Sequence, residues 1–123
     1  MSSHQREATL ELIEQGLATT SRNSERIFEA ELYRLKARVL LFDDVPGAGT
    51  EAQSLFDHAL TAARSQHAKA LELRVAVDLG ALWVDQGRRK DALNLLAPIY
   101  AGFAEGFETQ DLKQAKALLD RLQ

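Results

Sequence analysis

The chain has 123 residues, 46% of them hydrophobic and 27% charged, with a net charge of -3 from 15 basic and 18 acidic side chains. That is the size of one domain with a modest core, too apolar for a disordered chain. The absence of cysteine excludes disulfides and thiolate chemistry, and the lack of any block of one charge sign argues against nucleic-acid or membrane-surface partners.

The N-terminus is polar, and no stretch approaches the ~18 apolar residues a membrane span needs, so the expectation is a soluble, cytoplasmic protein. Helix formers dominate, with two prolines and seven glycines as the breaks. Taken in chain order, the apolar spacing predicts six helices and no strands.

Ala8, Leu10, Leu12, Ile13 and Leu17 recur at helical spacing opposite Glu7, Glu11 and Glu14, predicting a first helix over about 5–20. Ser24 is placed to cap a second, over about 25–42, whose apolar face is Ile27, Phe28, Leu32, Leu35, Val39 and Leu40. The loop from Asp43 to Gly49, with Pro46 and two glycines, ends it.

Thr50 and Gln53 have capping-box spacing, predicting a third helix over about 51–66. A fourth runs over about 69–86 and stops at Gly87, which can take the left-handed conformation. The turn that follows is so short that the fifth, over about 90–105, must be its antiparallel neighbour.

Pro98 inside the fifth helix predicts a kink or break. Thr109, with Asp111 close behind it, caps a sixth helix over about 110–122, striped by Leu112, Ala115, Leu118, Leu119 and Leu122.

Small and large residues recur at fixed offsets, as closely crossing helices require. Ala52, Phe56 and Ala59 are repeated as Ala92, Leu96 and Ile99, while Ala37 and Leu40 in the preceding helix match Gly80 and Trp83.

The run Ala76, Leu79, Gly80, Trp83, Gly87, Ala92, Leu96 resembles one complete tetratricopeptide repeat. The earlier unit, from Tyr33 through Ala37 and Leu40 to Ala52, Phe56 and Ala59, fits with a longer inter-helix loop and with Lys36 where the pattern has Leu.

The segments Glu29–Lys36, Ala68–Arg74, Asp85–Arg89 and Leu96–Leu119 also resemble the C-terminal tails of large bacterial regulators that join an adenylate cyclase or DNA-binding head to an ATPase. The resemblance implies antiparallel hairpins stacked as a short right-handed solenoid. It brings no cyclase or ATPase activity, since those parts are missing. It also makes the first helix the second half of a hairpin whose partner lies upstream, leaving an apolar face open there and predicting a homodimer or a protein partner bound through that helix.

In such a stack the first helix of each hairpin lines a groove, which implies that Glu31, Arg34, Arg38, Arg74, Val77 and Ala81 face a partner. Three arginines suit a carboxylate or an acidic segment; the same arginines also read as a solvated face paired with Glu29, Glu31 and Glu72. Phe103 and Phe107 are a second candidate, either an exposed contact patch or core, while Tyr33 and Trp83 are expected to pack in the core.

Other chemistry is weaker. Gly47-Ala48-Gly49-Thr50 lacks the Gly-Lys-Ser/Thr ending of a phosphate loop. His58 and His67, about 900° apart around a helix, cannot share a metal within it, and Asp43 and Asp44 read as turn residues. The expectation is therefore no catalytic site, no cofactor and no metal, with protein binding as the function; the alternative is a small-molecule sensor with a pocket between hairpins, lined by Phe103, Phe107 and Trp83.

Overall fold

A computed structural model describes Thr9, Leu10, Ile13 and residues 26–43 and 46–122, and among these the chain forms helices and turns without strands. The helices are α1 (Arg26–Phe42), α2 (Ala48–Ser65), α3 (Lys69–Asp85), α4 (Arg89–Ala101) and α5 (Gln110–Leu122). Thr9, Leu10 and Ile13 are helical as well. The rest of the predicted first helix, and the Ser24 cap, lie outside the described residues. Two compact units divide the chain, Met1–Ala68 and Lys69–Gln123.

In the first unit α1 packs along α2. Small side chains let the two backbones approach: Ala30 and Ala37 on α1 and Ala52, Ala59 and Ala63 on α2 are fully buried, with Phe56 filling the space among them. A second row on α1, Leu32 and Val39, forms a separate cluster with Ile13, with Leu10 and Leu35 packed against it.

The start of α2 differs from the predicted capping box. The helix begins at Ala48, capped by Gly47 in the left-handed region at φ 86°, with no side-chain cap. Thr50 is therefore already inside the helix. Glycine enters this conformation without the steric penalty a Cβ would bring, so the backbone turns into the helix two residues ahead of the threonine.

In the second unit α3 and α4 form a hairpin whose contacts step away from the turn on both helices. The Arg88 guanidinium lies 4.5 Å from the centre of the Trp83 ring, and a Cβ placed on Gly80 would sit 3.8 Å from that of Ala92. Gly87, at φ 79°, ends α3 as predicted. The Arg88 amide bonds to the Trp83 carbonyl and the Gly87 amide to that of Val84, the paired bonds that close a helix through a left-handed residue.

The same pair of bonds closes α2, from Ala68 to Ala63 and from His67 to Arg64. There His67, at φ 54°, occupies the left-handed position.

Pro98 does not break α4, which continues through it to Ala101. The helix is shorter than predicted and stops three residues past the proline, where the Gly102 and Phe103 amides turn back to the Ile99 and Tyr100 carbonyls. Proline removes the one amide that would have bonded to the Asn94 carbonyl, and that loss falls in the last turn of the helix.

Thr109 caps α5 as predicted, its Oγ1 accepting from the Leu112 amide at 3.4 Å. α5 packs against both α3 and α4. Its N-terminal Asp111 pairs with Arg74 near the start of α3, and farther along Leu118 reaches Gly80, so α5 runs parallel to α3. At its far end the Arg121 carbonyl accepts from Arg89 at the start of α4, which makes it antiparallel to α4. Leu73, Ala76, Leu96, Leu112, Ala115, Leu118 and Leu119 form the shared core.

Candidate partner-binding site

The proposed groove residues are divided between the units. Glu31, Arg34 and Arg38 stand on α1, and Arg74 stands on α3. Their environments differ sharply.

Arg34 is buried, with 6% of its surface exposed, and its Nε reaches both oxygens of Glu31 at 3.2 Å while Nη2 forms a close ion pair with the same carboxylate. One turn of helix separates them, so the sequence alone brings them together. A guanidinium held this way, out of water and forked onto its own carboxylate, is not offered to an acidic partner. Arg38, one turn on, is exposed.

Arg74 donates from Nε and Nη2 to the two oxygens of Asp111 at 3.2 and 3.0 Å. With side-chain exposures of 39% and 25% the pair remains within reach of solvent, and either member can be approached. It also ties the start of α5 to α3, across 37 residues of sequence, which no local spacing announces.

The two phenylalanines part company. Phe103 is partly buried and packs against the core of the second unit, whereas Phe107 is exposed and tilts against Tyr100 with ring centres 5.7 Å apart. Phe103 also lines an open depression of about 230 Å³ with Lys69, Glu72, Pro98, Ile99 and Gly102. Phe107 and Trp83 do not line it. Its volume falls below the roughly 300–1,000 Å³ usual for small-molecule sites.

An analogous depression of about 290 Å³ sits in the first unit, lined by Arg26, Glu29, Asp57, His58, Thr61 and Ala62. Both lie where the start of the first helix of a hairpin meets the later turns of the second. Both carry a basic and an acidic residue from the first helix, Lys69 and Glu72 in one and Arg26 and Glu29 in the other, and they differ in what the second helix and the residues just after it contribute, Pro98, Ile99 and Phe103 against Asp57, His58 and Thr61.

Tyr33 and Trp83, expected in the core, are only half-buried. Each covers its hairpin from outside: Tyr33 stacks on His58 at 5.2 Å and Trp83 lies under Arg88. An aromatic ring with a polar edge gains from this position by keeping that edge near water.

Ile27 and Phe28, assigned from the sequence to the buried face of the second helix, are exposed, as is Phe42. α1 buries only the sides its neighbours reach, the Ala30–Ala37 row and the Leu32–Val39 row. The seven-residue recurrence of Phe28, Leu35 and Phe42 is the signal in the sequence that marks a third row.

Among the described residues no three histidine or carboxylate side chains gather to hold a metal, and no helix is long and apolar enough to cross a membrane. Compared with protein-family models, with curated proteins and with solved structures, the chain matches none.

Proposed function

We propose that this protein is a non-catalytic interaction module of the tetratricopeptide type, which binds another protein through the first helices of its hairpins, as the tail of a signalling regulator would. The observation that carries this reading is the position of α5. It lies against both members of the α3–α4 hairpin, parallel to α3, as the first helix of a following hairpin lies in a stacked helical repeat.

The small residues support the same reading. Gly80 and Ala92, drawn from the repeat pattern, meet at the crossing of α3 and α4, and Ala52 and Phe56 in one hairpin are as fully buried as Ala92 and Leu96 in the other. The outer side of α5, with Lys113, Gln114, Lys116, Asp120 and Arg121 exposed, is polar, the character of a face that caps a repeat stack.

Arg74 is the side chain on which we place partner recognition, because its fork is accessible and already engages one carboxylate. A partner carboxylate would compete with Asp111 for it. The test is affinity capture of partners on the immobilised full chain, comparing wild type with Arg74→Ala and Asp111→Ala. A captured protein lost with Arg74→Ala and kept or enriched with Asp111→Ala supports the reading. Equal capture by all three moves recognition off α3, and no specific capture at all counts against an interaction module.

A further inference from the structure

We draw no further inference here: the strongest candidate, the exposed apolar patch of Phe28 and Phe42 on α1, has Leu35 between them already packed against the Ile13, Leu32 and Val39 cluster, and nothing in the structure shows what covers the two phenylalanines.

Discussion

The α1–α2 and α3–α4 hairpins use the same inner skeleton and different rims. In the second helix of each, an alanine and a bulky residue four positions later are fully buried, Ala52 and Phe56 in one and Ala92 and Leu96 in the other. At the matching crossing positions of the first helices, α1 has Ala37 and α3 has Gly80. Away from the crossing the likeness ends: the second helix lines its depression with Asp57, His58 and Thr61 in one hairpin, while Pro98 and Ile99 of the second helix, with Phe103 just after it, line the other, and one arginine is buried while the other is accessible. The difference teaches that steric demand at the helix crossing sets the fold, while the rims are free to carry specificity.

The comparison breaks most severely if the buried bulky residue is removed. Phe56→Ala should cost about 3–5 kcal/mol and Leu96→Ala about 2–5 kcal/mol, each read from denaturant midpoints. If either change cost under about 1 kcal/mol, that hairpin would not rest on the shared skeleton.

The two arginine pairs sharpen it next. Glu31→Ala strips a carboxylate from the buried Arg34 and should cost about 1–3 kcal/mol. Asp111→Ala, at a partly exposed pair, should cost under about 1 kcal/mol and lose that effect in high salt. Equal effects would mean that burial does not separate the two sites.

The helix ends offer a smaller contrast, since α2 closes on His67 and α3 on Gly87 in the same left-handed conformation. Gly87→His should cost about 1–2 kcal/mol, and His67→Gly should gain up to about 1 kcal/mol, both visible as shifts in Tm.

The smallest expected effect is Gly80→Ala, which gives α3 the residue found at the equivalent place in α1. A Cβ there lies 3.3 Å from the tip of Leu118, so a flexible side chain must yield by a few tenths of an ångström. The helix gains about 1 kcal/mol in propensity, leaving a net change near zero.

How much was legible in the sequence follows from the range of the forces involved. The fourth and sixth helices were read almost to the residue, because Gly87 and Thr109 mark their ends by local backbone chemistry. The third was misread at its start because two local signals competed there, and the left-handed Gly47 prevailed over the Thr50–Gln53 box. The fifth ended early because Pro98 and Gly102 together deprive its last turn of support.

The site was less legible. The Glu31–Arg34 pair lies within one turn and is legible from helical spacing, but its burial comes from tertiary packing. Arg74 finds Asp111 on another helix, which no local spacing reveals. The sequence leaves the fates of Phe103 and Phe107 open because their glycine-flanked segment has no periodicity to read.

Because α5 shares its apolar residues with both α3 and α4, it has no side on which to peel away without uncovering Leu73, Ala76 and Leu96. A helix docked on one neighbour alone can open locally and trade its amide hydrogens quickly. Here the amides of Ala115, Leu118 and Leu119 should exchange as slowly as those in the middle of α3, through opening of the whole three-helix unit, so that α5 behaves kinetically as part of the interior.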